Sequence, residues 1–183
     1  TEAGFVLTPL LFRRDLRPHD VRHAVSATQT WLGHHATATE AGFVLTPLLF
    51  RRDLRPHDVR HAVSATQTWL GDHTTATEAR FVLRSLLSRR DLKRDEVRHA
   101  VSAALTWLGD HTTATEARFV LDHLLSRRDL EREEVRRAVS AALTWLGRHA
   151  ASSNSHFVLG PLLSRTDLTT EEARRAASLA SAR

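Results

Sequence analysis

A stretch of 38 residues repeated from one end of the chain to the other leaves few folds open. Residues 77–114 are one copy, and the others are 1–38, 39–76, 115–152 and a shorter 153–183. The first two copies differ only at His34 against Asp72 and Ala36 against Thr74. A single centred core has no use for five equal pieces. A row of modules does, because each module meets its neighbour through the same surface.

Each copy reads as two helices. Thr37 with Glu40, Thr75 with Glu78 and Thr113 with Glu116 have the spacing of a capping box, which opens the first helix. Ala79, Val82, Leu83, Leu86 and Leu87 then form one apolar stripe, with Phe81 widening it on one flank. This helix is expected to end near Arg89 or Arg90, where cations suit the terminal carbonyls. The link is Arg90-Asp91-Leu92. Thr169 with Glu172 forms a capping box for the second helix, and Pro18 and Pro56 fall at its first residue. Leu92 and Val97 have the spacing of a hydrophobic staple. Val97, Ala100, Val101, Ala104, Leu105, Trp107 and Leu108 make an arc wider than one face needs, which suits packing on two neighbours. Gly33, Gly71, Gly109 and Gly147 are predicted as left-handed residues just past the helix end.

A hairpin of this size is unable to bury its apolar surface alone, and stacking solves that. The expected fold is all-α: a right-handed α-solenoid of five stacked antiparallel helical hairpins, ten helices in one repeat domain spanning 1–183. In the first, second and fifth copies Pro9, Pro47 and Pro161 fall inside the first helix, where a kink would set the curvature. Thr28, Gln29, Thr66 and Gln67 replace apolar residues near the seam between helices. If buried they need partners, since an unsatisfied group costs about 1–3 kcal/mol. In the last copy Ser181 stands where Leu105 does and Arg183 where Trp107 does. That copy reads as a C-terminal cap, although a chain cut short would look the same. The N-terminal hairpin keeps its apolar face, so an end-to-end homodimer is expected.

Composition sets outer limits. There is no apolar run of about 18 residues, so no membrane span is expected. Thr1 begins without an initiator Met or a visible signal peptide, which suggests a piece of a longer protein. With no Cys there is no thiolate chemistry and no indication of redox compartment, and a cytoplasmic location is the default. The net charge of +5 is thin and spread over all the copies. Runs such as Glu131-Arg132-Glu133-Glu134 interleave the signs, as ion-paired helix surfaces do.

No nucleophile elbow, phosphate loop or zinc-protease motif is present, so no enzyme activity, cofactor or metal is expected. His34, His35, His73, His111 and His149 fall between modules, one or two per copy, and would form a ladder rather than a metal cluster. Glu133 and Glu134 sit where a helix dipole favours anions. Two columns recur in every copy. One is Arg22, Arg60, Arg98, Arg136 and Arg174, flanked by Ser26, Ser64, Ser102, Ser140 and Ser178. The other is Asp15, Asp53, Asp91, Asp129 and Asp167 in the link, expected either to cap the second helix or to pair with a nearby Arg. The copies differ most on the first helix, at Gly4, Gly42, Arg80, Arg118 and His156, and at Thr8, Thr46, Arg84, Asp122 and Gly160. If first helices line a wall, Arg80, Arg84, Arg118, Asp122, His123 and His156 would read a partner, with Arg22, Arg60, Arg98 and Arg136 as a basic track. Neutral drift at exposed sites accounts for the same variation.

The hairpin length and its repetition resemble the helical-repeat solenoids, with the tetratricopeptide, pentatricopeptide and octotricopeptide families nearest in unit size. Trp107-Leu108-Gly109 is similar to the Trp-Leu-Gly element of tetratricopeptide repeats. The octotricopeptide family shares the 38-residue period and binds RNA. Near-identical arrays of this kind also resemble sensor regions of large bacterial signal-transducing ATPases, which implies partner binding and an effector domain elsewhere. No residue role is carried over from these families. The leading expectation is a non-enzymatic scaffold that binds a protein or peptide. A single-stranded RNA reader is the alternative, opposed by a wall that is expected to lack exposed aromatics for base stacking. A designed, consensus-like array without a natural ligand is the third reading.

Overall fold

The computed structural model describes residues 2–149 and 151–181, and Thr1 and Arg183 lie outside it. All regular structure among these residues is helical. The helices are α1 (Glu2–Phe12), α2 (Pro18–His35), α3 (Ala41–Phe50), α4 (Pro56–His73), α5 (Ala79–Leu87), α6 (Arg94–His111), α7 (Ala117–Leu125), α8 (Arg132–His149), α9 (His156–Leu163) and α10 (Thr170–Ser181). None of them is long and apolar enough to cross a membrane. They gather into two compact units, Thr1–Glu96 and Val97–Arg183. In the first, α1 packs on α2 and α3, α2 on α4, α3 on α4 and α5, and α4 on α5. In the second, α7 packs on α8 and α9, α8 on α9 and α10, and α9 on α10. Within each unit these helices touch their hairpin partner and the helices next along the row, as modules with one shared surface should.

The apolar stripes account for the core. Ala79, Val82, Leu83, Leu86 and Leu87 are all buried, as are Val97, Ala100, Val101, Ala104, Leu105, Trp107 and Leu108. Three of the polar seam residues, Thr28, Gln29 and Thr66, find partners. Thr28 and Thr66, both fully buried, donate to Ala24 O and Ala62 O of their own helices at 2.7 Å. Gln29 Nε2 reaches across to the buried Asp58 carboxylate at 3.1 Å.

The helix ends differ from expectation in two ways. Glu40, Glu78 and Glu116 do not stand at the third helical position that a capping box with the preceding threonines requires. They occupy the N-cap position itself, in helical conformation. The backbone turns tightly before them, through Ala38 N to His35 O at 3.0 Å and Ala41 N to Ala38 O at 2.9 Å. Nor do Gly33, Gly71, Gly109 and Gly147 stop their helices. Each lies two residues inside, and no glycine described has a positive φ. Side chains satisfy the last carbonyls instead: His35, His73, His111 and His149 donate Nδ1 to the Trp carbonyl four residues back, at 2.9 to 3.0 Å. Thr74 and Thr112 do the same for Leu70 O and Leu108 O. With those acceptors filled, a left-handed residue has nothing to add.

The second helices open as read. Pro18 and Pro56 are first residues of α2 and α4. Thr169 and Glu172 make the reciprocal box, with Thr169 N to Glu172 Oε2 at 2.8 Å and Glu172 N to Thr169 Oγ1 at 3.2 Å. Glu96 and Glu134 likewise accept the amides of Lys93 and Glu131 at 2.7 Å.

Candidate ligand-binding surface

The first helices carry a phenylalanine just off the apolar stripe in every copy. Phe43 is 54% exposed, Phe81 42% and Phe157 46%, and Phe119 is half-buried. This corrects the expectation of a wall without exposed aromatics. Phe81 lies too far round the helix to join its stripe, so its ring stands on the rim of the core rather than in it.

The residue before each ring is the one that varies between copies. The Arg80 guanidinium sits 4.3 Å over the Phe81 ring, and Arg118 sits 4.4 Å over Phe119. His156 leans on Phe157 with centroids 4.0 Å apart. Gly42 leaves the Phe43 ring bare. Gly42 itself is buried, and a Cβ there would come within 2.8 Å of Trp69 Cζ2, so this position is not on the exposed side in the second copy. Arg80 and Arg118 are half-buried, and His156 is exposed.

The neighbouring variable positions act on the same helix turn. Pro47 lacks the amide that would bond Phe43 O, and Thr8 Oγ1 approaches that carbonyl at 3.4 Å. In the third copy Ser85 takes the proline's place and donates to Phe81 O at 2.7 Å. In the fourth, His123 Nδ1 meets Phe119 O at 3.1 Å, with Asp122 at 3.5 Å. Arg84 lies 5.9 Å over the Phe50 ring. The structure therefore groups Arg80 and Arg84 with phenylalanines in one unit, and Arg118, Asp122, His123 and His156 with phenylalanines in the other.

Arg22, Arg60, Arg98, Arg136 and Arg174 do not join these groups. They sit exposed on second helices, where Arg98 pairs with Glu131 at 2.9 Å and Arg136 with Glu133 at 3.1 Å. Exposed pairs of this kind contribute about 0–1 kcal/mol each.

The strongest polar construction is a different arginine series. Arg89 and Arg127 are 1% exposed and Arg165 is 6% exposed. Arg89 holds Asp91 through Nε and Nη2, at 2.9 and 2.5 Å. Its Nη1 donates back to Leu49 O and Arg51 O of the preceding copy, at 2.8 and 3.0 Å. Arg51 repeats this with Asp53, Leu11 O and Arg13 O, and Arg165 with Asp167, Leu125 O and Arg127 O. A second arginine reaches forward: Arg52 Nη2 donates to Ser88 O at 3.0 Å and Arg128 Nη2 to Ser164 O at 2.9 Å. The aspartate column is thus the internal ladder that the spacing allowed, with the partner two residues upstream. The sequence signal was available: the last copy changes Arg-Arg-Asp to Arg165-Thr166-Asp167, so the first arginine and the aspartate persist when the middle residue does not.

These contacts set the charge behaviour. Hydrogen bonds from Arg51, Arg89 and Arg165 hold the carboxyls of Asp53, Asp91 and Asp167 below their ordinary range. Burial pushes Asp58 up, but hydrogen bonds from Arg55 and Gln29 outweigh it and leave that carboxyl lowered too. A lowered folded-state pKa contributes stability above the unfolded value, and that stability is lost as pH falls through the folded one. The urea midpoint is therefore expected to stay level from neutral pH down to about 5 and to drop below about 4. Because the three link aspartates are half exposed, each contributes only part of the drop. Asp91→Asn should flatten the acid limb, and an unchanged limb would show that the ladder does not sense pH.

The tryptophan–histidine pairs close the interior side. His73 stacks on Trp69 with centroids 4.5 Å apart and planes 3° apart, and the other three pairs match it within a few tenths of an ångström. The histidines thus belong to helix ends rather than loops, each bonded to its own helix.

No protein-family model matches the chain, and no curated protein matches it.

Proposed function

We propose that the chain is a non-enzymatic scaffold whose first helices hold a peptide or protein segment through exposed phenylalanines within each unit. The observation that carries this reading is the exposure of Phe43 and Phe81, equivalent rings in successive copies of the first unit, with Phe157 as the exposed equivalent in the second. Exposed large rings are characteristic of contact surfaces. Within the first unit the buried Arg89 rung ties the copy that carries Phe81 to the copy that carries Phe43, which lowers the ordering cost of binding. The variable neighbour of each ring then gives each copy its own preference. A bare ring beside Gly42 accepts an apolar side chain on either face. A ring under Arg80 or Arg118 offers one face and a cation, which suits a carboxylate next to an apolar group.

The same rings and arginines favour single-stranded RNA as the second reading, since bases stack on exposed aromatics. Two measurements separate the readings. Selection from a random peptide library displayed on phage should enrich sequences that combine apolar and acidic residues, and the double variant Phe43→Ala/Phe81→Ala should lose the enrichment while keeping its helical circular dichroism. Mixed-sequence single-stranded RNA is titrated at about 50 and about 200 mM salt, the range over which phosphate contacts lose affinity steeply. Tight, steeply salt-dependent RNA binding with no peptide enrichment would reverse the order of the two.

A further inference from the structure

The first two copies differ from the rest at one residue near the end of the first helix. Phe12 and Phe50 stand where the later copies have Ser88, Ser126 and Ser164. That serine anchors an arginine of the copy before it. Arg52 Nη2 donates to Ser88 O at 3.0 Å and lies 3.4 Å from the Ser88 hydroxyl. Arg128 meets Ser164 in the same way, at 2.9 and 3.2 Å. Arg14 is the equivalent arginine of the first copy, and Phe50 is the residue it would meet. With a ring there in place of a hydroxyl, Arg14 is exposed and makes no hydrogen bond or ion pair among the described residues.

A cleft of about 540 Å³ lies at this point, between two copies of the first unit. Phe12, Pro47 and Phe50 give it apolar walls, and Arg14 and Arg52 line it from successive copies. Its volume and its few polar groups among apolar ones are those of a small-ligand site. Arg13 and Arg51 also line it, but each already holds an aspartate, at 2.7 and 2.6 Å. Arg52 is bonded only to the neutral Ser88, so Arg14 and Arg52 are the two guanidiniums of the cleft in no ion pair. Helix C-termini meet here too, and free carbonyls would oppose an anion. They are occupied instead. Leu11 O and Arg13 O accept Arg51 Nη1 at 3.1 and 3.0 Å, and Leu49 O and Arg51 O accept Arg89 Nη1 at 2.8 and 3.0 Å.

We propose that this cleft binds a phosphate monoester with a flat apolar body, its phosphate held by Arg14 and Arg52 and its body set against Phe12, Pro47 and Phe50. Such a group carries nearly two negative charges at neutral pH, which matches the two guanidiniums without a carboxylate partner. The guanidinium fork fits phosphate oxygens in pairs. The aromatic walls suit a ring, which gains from stacking on them. The same chemistry comes from two sources, a free aryl phosphate or a phosphorylated tyrosine of another protein. The site uses none of Phe43, Phe81 and Phe157, so it stands or falls apart from the peptide surface proposed above.

The test titrates the full chain with phenyl phosphate, inorganic phosphate and phenol by isothermal titration calorimetry at low salt. Phenyl phosphate should bind at least about tenfold more tightly than either fragment, since stacking and charge act together. Three variants locate the binding, each checked by circular dichroism. Arg14→Gln removes an exposed, unpartnered charge and should weaken phenyl phosphate about tenfold. Phe50→Ser restores the residue that later copies carry, gives Arg14 an anchor, and should weaken it as much. Arg60→Gln removes the same charge from an exposed site on α4 and should leave it unchanged. A short peptide carrying phosphotyrosine separates the sources. Tighter binding than phenyl phosphate assigns the cleft to a modified protein, and weaker binding to a free small molecule. The proposal is overturned if inorganic phosphate binds as well as phenyl phosphate, or if Arg60→Gln weakens binding as much as Arg14→Gln, since either result means general attraction to a basic chain. Absence of phenyl phosphate binding at millimolar concentration overturns it as well.

Discussion

Arg89→Ala lowers the stability of its unit by about 2–5 kcal/mol, while Arg13→Ala, at the equivalent residue, changes it by less than about 1 kcal/mol. The two arginines share a sequence context and an aspartate two residues on, so burial is what separates them. Arg13 is 58% exposed at its side chain, and its pairing with Asp15 competes with water. Arg89 is 1% exposed, and its removal strands Leu49 O in a buried site and Arg51 O in a partly buried one. An unsatisfied buried carbonyl costs about 1–3 kcal/mol, so Leu49 O, with a smaller share from the partly buried Arg51 O and the emptied guanidinium site, sets the scale of the loss. The ion pair itself is the smaller part, because Asp91 is half exposed and is hydrated once released. Arg89→Lys should recover little. One ammonium does not reproduce a planar fork that holds a carboxylate on one edge and two carbonyls on the other. Urea denaturation followed by tryptophan fluorescence measures all three variants. A loss under about 1 kcal/mol for Arg89→Ala would mean that solvent reaches the stranded carbonyls and that the ladder is ornamental.

What could be read from the sequence, and what escaped it, follows from the range of each interaction. The stripes Ala79 to Leu87 and Val97 to Leu108 depend on helical period alone, and every member is buried. Pro18, Pro56 and the Thr169–Glu172 box depend on residues within one turn, and they too stand where the sequence puts them. Glu40, Glu78 and Glu116 misled because the box pattern says nothing of how the previous helix ends. His35 and Thr74 carry the helical backbone on until the first amides of the next helix are already bonded. Gly71 misled for the same reason. Arg89 was read as a helix-terminal cation when its acceptors lie 38 and 40 residues upstream. No local pattern predicts such a contact, although the invariance of Arg-x-Asp through Arg165-Thr166-Asp167 pointed to it. Phe81 shows the limit of stripe reading in the other direction. A residue at the edge of an apolar arc can face in or out, and the choice is made by the neighbouring copy.

Trp69→Ala is expected to destabilise the chain by about 3–5 kcal/mol, the usual range for emptying a large buried aromatic site. Trp69 is fully buried, its indole lies against Gly42, and His73 stacks on it, so the surrounding atoms have little freedom to close the cavity. The more telling comparison is between two milder changes. Trp69→Phe removes part of the ring and also the N–H that Ala38 O accepts across the hairpin boundary. Trp31→Phe removes the same atoms from a site where the N–H has no acceptor, so it loses no hydrogen bond and discards a buried, unsatisfied donor. Trp69→Phe should therefore cost about 1–2 kcal/mol more than Trp31→Phe. The difference, read from urea midpoints of the two variants, isolates the contribution of the inter-repeat hydrogen bond, since ring size and the histidine four residues on are matched. Equal losses would mean that Ala38 O is as well served by water as by Trp69. The junction between copies would then be held by apolar packing and the arginine rungs alone.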